Sequence, residues 1–177
     1  MRRFMTWRWA AVPVALMLAF ILVGTAIAAT TVRSARTLTR VKVVHGDTAT
    51  VTNSTSFVDL PGAATSITVD PCGRATCAVI LARFSAESAC FGDSGYCPVR
   101  ILINGKEADP VVGADFAFDS TNAGGETSAS WESHAVERSR AYFTPGTFPV
   151  QVQYMTTTSA TSLRLDDWTL VVEALRT

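Results

Sequence analysis

The chain has 177 residues, 48% of them hydrophobic, with fifteen Lys+Arg balanced by fifteen Asp+Glu. Arg2, Arg3 and Arg8 all precede a long apolar run, so the remainder holds twelve basic against fifteen acidic residues, a net of −3. A mildly acidic body excludes nucleic acid and an anionic membrane surface as expected partners, because both call for a basic face.

The run from Trp9 to Ala29 closes on Ala26-Ile27-Ala28, the small-x-small pattern that a signal peptidase accepts. About twenty apolar residues also suffice to cross a hydrocarbon core of ~30 Å as a helix. Residues 1–29 are therefore read as a signal peptide or a membrane anchor, with the small-residue ending favouring cleavage. Under either reading the rest of the chain is secreted or held outside the cytoplasm. Any contact with a membrane is then made by residues 9–29 of an uncleaved segment. Residues 30–39, rich in Thr, Arg and Ser, read as a flexible lead-in. Residues 40–177 read as one domain, large enough to bury a core unaided.

Period-two alternation recurs along this domain and predicts strands. Val41 and Val43 alternate with Arg40 and Lys42, and Ile67 and Val69 with Ser66 and Thr68. Further segments are Val99 to Ile103, Phe116 to Phe118, Phe148 to Tyr154 and Trp168 to Ala174. Cys77 to Ala82 is apolar on both faces and reads as a central strand covered on both sides. Turn signals fall between the runs, and Asn104-Gly105 predicts a two-residue hairpin. The nearest approach to a helical stripe is Trp131 to Tyr142, where Trp131, Ala135 and Val136 would share a face. The pattern predicts an all-β, antiparallel, jelly-roll-like sandwich.

Four cysteines, Cys72, Cys77, Cys90 and Cys97, fit an oxidising compartment. Their three possible connectivities narrow to Cys72–Cys77 and Cys90–Cys97, because each pair brackets a short turn-rich stretch. A zinc site is disfavoured by the spacing of the thiols and by the compartment.

Several side chains invite a functional reading. Asp115 and Asp119 would share one face of a strand, and Asp166-Asp167 precedes the last strand. These four carboxylates are the candidate ligands for calcium, the one cofactor considered, against a reading as solvated residues or turn caps. Trp131, set among Ser128, Ser130, Glu132 and Ser133, is the best candidate for an exposed ring that stacks on a sugar, with Tyr96 second. Trp168 heads an alternating strand and reads as core. His45 and His134 lack a partner at metal-ligand spacing and read as surface or edge residues. Asn53-Ser54-Thr55 is a glycosylation sequon, relevant only in a host that glycosylates.

Gly92-Asp93-Ser94-Gly95 resembles the first four residues around the nucleophilic serine of trypsin-like proteases. Tyr96-Cys97 stands where that family continues with Gly-Pro, and His45 lies in Val-Val-His-Gly-Asp rather than the family's Ala-Ala-His-Cys setting. A disulfide-closed turn explains the same residues through their turn geometry. A wider resemblance is carried by residues 81–90, by 96–101, by Asp115 to Ser120 and by Arg164 to Trp168. These segments look like a group of small secreted bacterial β-sandwich proteins of unknown function. The resemblance implies location and fold class and brings no activity or catalytic residues.

The expectation is an exported cell-surface binding module without evident catalytic residues, its partner an extracellular ligand such as a glycan or another surface polymer. A self-assembling structural protein is the alternative. A hydrolase using Ser94 or the pair Asp115 and Asp119 comes third.

Overall fold

The computed structural model describes residues 33–73 and 77–177, and the predicted export segment lies outside them. Strong alternation without a sustained helical stripe leaves the backbone little choice, and the described residues contain ten strands and two short 3-10 turns.

In chain order the strands are β1 (Thr37–Gly46), β2 (Thr50–Thr52), β3 (Val58–Val69), β4 (Ala78–Phe91) and β5 (Tyr96–Ile103). They continue with β6 (Lys106–Glu107), β7 (Ala117–Ser120), β8 (Glu132–Tyr142), β9 (Gly146–Tyr154) and β10 (Ser162–Arg176). Sheet I runs β1-β10-β4-β8, with β2 extending the β1 edge along β10. Sheet II runs β3-β9-β5-β6, with β7 also paired to β5. All strand pairs are antiparallel.

The two sheets meet across a single core. Ile80, Phe84, Leu163, Leu165, Leu170 and Val172 of sheet I pack with Ile67, Val99, Ile101, Ile103, Val150 and Val152 of sheet II. The run after Cys77 is central, as its two-faced apolarity implies: β4 lies between β10 and β8, and Ala78, Val79, Ile80 and Ala82 are all buried. Asn104 and Gly105 carry φ of 55° and 71° and close the predicted hairpin between Ile103 and Lys106. Both predicted disulfides, Cys72–Cys77 and Cys90–Cys97, are formed.

Three segments depart from the simple pattern. The stretch Trp131 to Tyr142, with its partial helical spacing, is strand from Glu132 onward. Val136 and Tyr142 turn to the core there, while Ala135 and Glu137 face out. The stretch read as a flexible lead-in already contains strand, because β1 begins at Thr37 and the Arg36 N–H donates to Arg176 O at 2.7 Å. On β1, Arg40 and Lys42 lie opposite the buried Ala174 and Val172, so the two cations take the inner side. Val41 and Val43 face outward and are 45% and 57% exposed. An inward charge on an edge strand blocks the addition of another strand. Arg40 reaches Asp70 at 2.6 Å from that position.

Tyr142 and Tyr154 stand at the margins of the core, 8% and 4% exposed. Burial raises both phenol pKa values above the ordinary range, and at Tyr142 the Arg140 charge offsets part of the rise. A raised folded pKa contributes stability below the unfolded value of about 10, and that stability is lost as pH climbs through the folded value. The unfolding midpoint should therefore hold to about pH 9 and fall above about pH 10. The double variant Tyr142→Phe/Tyr154→Phe should show a shallower alkaline fall. An identical fall in both proteins would rule the tyrosines out as its cause.

Candidate functional site

The outer face of sheet I is built by residue parity. Because Phe84, Ala86 and Ser88 point into the core, Arg83, Ser85 and Glu87 point out. Strand pairing places Ser85 beside Thr169 and Ala135, Arg83 beside Val171 and Glu137, and Glu87 beside Asp166 and Ser133. The small side chains of Ser85, Ala135 and Thr169 leave an open trough of about 540 Å³ across β10, β4 and β8, walled by Arg83, Glu137 and Val171. Arg83 is held in place, its Nη2 2.8 Å from Glu173 Oε1 and its Nε 3.7 Å from Glu137 Oε2.

Trp131 lies at one end of this face. Arg164 points outward between the buried Leu163 and Leu165, and its guanidinium carbon sits 4.6 Å from the centre of the Trp131 ring. The indole is half-buried, fixed by the cation and still open to solvent. Tyr96, the second aromatic candidate, is on β5 in sheet II, so the two rings do not form one platform.

The four aspartates are dispersed. Asp115 lies in the 3-10 turn Gly113–Asp115, whereas β7 begins only at Ala117 and carries Asp119 inward, 8% exposed. The break at 113–115 separates two residues that an unbroken strand would have put on one face. Asp166 and Asp167 form a bulge in β10, where the pairing register with β4 shifts and Asp167 takes φ 43°. The extra residue changes the parity, so Leu163 and Leu165 before it and Trp168 and Leu170 after it all face the core. Among the described residues no group of three or more His, Cys, Asp or Glu side chains is placed to hold a metal ion.

Asp119 instead joins a network that crosses between the sheets. Ser88 Oγ donates to Asp119 Oδ2 at 2.7 Å and lies 2.8 Å from His134 Nδ1. A serine has one proton to give, so with that proton on Asp119 Oδ2 the Nδ1–H is the donor to Ser88. His134 Nε2 is 3.5 Å from Glu132 Oε2, and its ring meets Phe118 edge-on at 5.6 Å. The connectivity Glu132–His134–Ser88 is that of an acid, base and nucleophile. Ser88, however, is 0% exposed and its hydroxyl proton is committed to Asp119. In this arrangement the four residues tie β4, β7 and β8 together. Deeper along β8, Arg138 stacks 4.5 Å over Phe116, and burial lowers its pKa while the Glu107 charge opposes that shift.

Ser94 lies in the loop closed by Cys90–Cys97. Threonines fasten that loop: Thr161 Oγ1 donates to Ser94 O at 3.1 Å, and Thr121 Oγ1 donates to Gly95 O at 3.2 Å. Gly95 has φ 115°, and a Cβ there would stand 2.7 Å from Thr157 Oγ1. Loop closure therefore accounts for the glycine of the protease-like tetrapeptide. His134 is bonded to Ser88 rather than to Ser94.

Fold and site together define an antiparallel β-sandwich with two local disulfides, of a kind that suits an oxidising, extracellular environment. Among the described residues no helix is long and apolar enough to cross a membrane. No family model matches the sequence, and no curated protein matches it. Dimeric latent PorU from Porphyromonas gingivalis is one similar solved structure, with a TM-score of 0.39 and 12% sequence identity. The similarity covers 81% of this chain, which spans only 14% of that protein, and it carries no functional argument.

Proposed function

We propose that this chain is an exported binding module that recognises a glycan or another extracellular polymer on the outer face of sheet I. Residues 1–29 act as its export segment, and its place is among small secreted bacterial β-sandwich proteins. The alternation of the chain between sheets, with β1 beside β10 and β3 beside β9, supports a jelly roll. The observation that carries the binding reading is Trp131. Its indole is fixed by Arg164 on the same exposed sheet face as a trough floored by small and hydroxylated side chains. Aromatic rings held this way stack on the apolar faces of sugars, while hydroxyls and carboxylates accept from sugar hydroxyls.

Trp131→Ala should weaken binding to a polymer ligand by about tenfold or more and leave the unfolding midpoint nearly unchanged. Affinity electrophoresis of both proteins through gels with embedded polysaccharides measures this. Equal retardation of the two proteins would overturn the reading.

Self-assembly is the second reading, favoured by the exposed Val41 and Val43 on the β1 edge. The inward Arg40 and Lys42 oppose strand addition there. Sedimentation velocity over a hundredfold concentration range separates the readings, since only self-assembly predicts a rising sedimentation coefficient.

A further inference from the structure

Resting on that reading, we propose that the trough on sheet I selects a glycan free of carboxylate and sulfate groups, one that is uncharged or amine-bearing. The face carries four carboxylates, Glu87, Glu137, Asp166 and Glu173, against two guanidinia, Arg83 and Arg164, and the His45 imidazole beside Thr169. Both guanidinia are already engaged. Arg83 lies between Glu173 at 2.8 Å and Glu137 at 3.7 Å. Arg164 is stacked on Trp131 and stands 3.9 Å from Asp166.

A uronate or sulfate placed over Ser85 and Thr169 would thus meet no free cation among the trough's lining residues. It would also lie beside the exposed carboxylates of Glu87 and Glu137. Like charges juxtaposed at a binding surface are the usual means of rejecting a wrong partner. Hydroxyl-rich sugars suffer no such penalty, because the carboxylates and the Ser85 and Thr169 hydroxyls all accept hydrogen bonds. An amine would gain from the net negative face. The trough crosses three strands, roughly 10 Å between the outer two, so the glycan lies across the strands rather than along them.

The test uses the purified protein and four soluble probes at matched ionic strength: a β-glucan, a chitosan oligosaccharide, polygalacturonate and heparin. We expect binding to the β-glucan, to the chitosan or to both, with the two anionic polymers at least about tenfold weaker. Ala135→Phe fills the trough floor from an exposed position and should abolish that binding without lowering the unfolding midpoint. Glu87→Lys should narrow the gap to polygalacturonate. Trp131-dependent binding of polygalacturonate or heparin, as tight as that of the uncharged probe, would overturn the inference and leave the module reading standing. Glycan binding that survives Ala135→Phe would also overturn it, since the ligand would then sit elsewhere. Failure of all four probes at millimolar concentration would remove the module reading and the inference together.

Discussion

Phe84→Ala should lower the free energy of unfolding by about 3–5 kcal/mol, the cost of deleting a large buried ring from a core that relaxes only in part. Phe84 is 0% exposed and stands on β4, the central strand of sheet I. Its ring centroid is 5.9 Å from that of Phe118 on β7 and 6.4 Å from that of Trp168 on β10, so one side chain joins three strands of the two sheets. Domains of this size are stable by about 5–15 kcal/mol, so the loss takes a large share of the total. Urea unfolding should show a lower midpoint with an unchanged slope, because the surface exposed on unfolding stays the same. A shift worth less than about 1 kcal/mol would mean that the ring is not packed as described.

What could be read from the residues divides along a physical line. Period-two alternation is local, and it located the strands around Val99, Phe148 and Trp168 and the central run after Cys77. The short spacings of Cys72–Cys77 and Cys90–Cys97 are local too, and both bonds are formed. Parity is cumulative, however, and one inserted residue reverses it. The bulge at Asp166-Asp167 reads as an acidic pair in the sequence, while its effect, the return of Trp168 to the core, appears only in the register against β4. Val41 and Val43 show the same limit from the other side. Alternation marked a strand, but which face is buried depends on the edge position of β1. In β8, Ala135 and Val136 suggest one helical face, and pairing along β4 overrides so weak a signal. The polar setting of Trp131 was legible because those neighbours adjoin it in the sequence, and the trough was not, because Ser85, Ala135 and Thr169 come from three distant segments. Ser88 left one faint sign, a polar residue at the inward parity of Phe84, Ala86 and Cys90. Such a position demands a buried partner.

That partner supplies the second large effect. Asp119→Ala should cost about 2–3 kcal/mol, the range for losing hydrogen bonds to a buried charged acceptor. Asp119 Oδ2 accepts from Ser88 Oγ and Oδ1 accepts from the Ser120 N–H, both at 2.7 Å. Ser120 is half-buried and can turn to water, whereas Ser88 is 0% exposed and keeps only His134 Nδ1, 2.8 Å away, as an alternative acceptor, at the cost of the other imidazole tautomer. Asp115→Ala, two positions before β7 and exposed, should change stability by no more than about 0.5 kcal/mol. The contrast between two aspartates four residues apart isolates burial and bonding from charge, since each substitution removes the same group. Ser88→Ala in the Asp119→Ala background completes a double-mutant cycle, with a coupling of about 0.5–3 kcal/mol expected for a direct contact. Additive effects, or equal costs at Asp115 and Asp119, would show that the bond from Ser88 to Asp119 does not hold β7 to sheet I. A coupled pair would instead make this buried contact between the sheets, rather than a cation, the reason for a carboxylate at position 119.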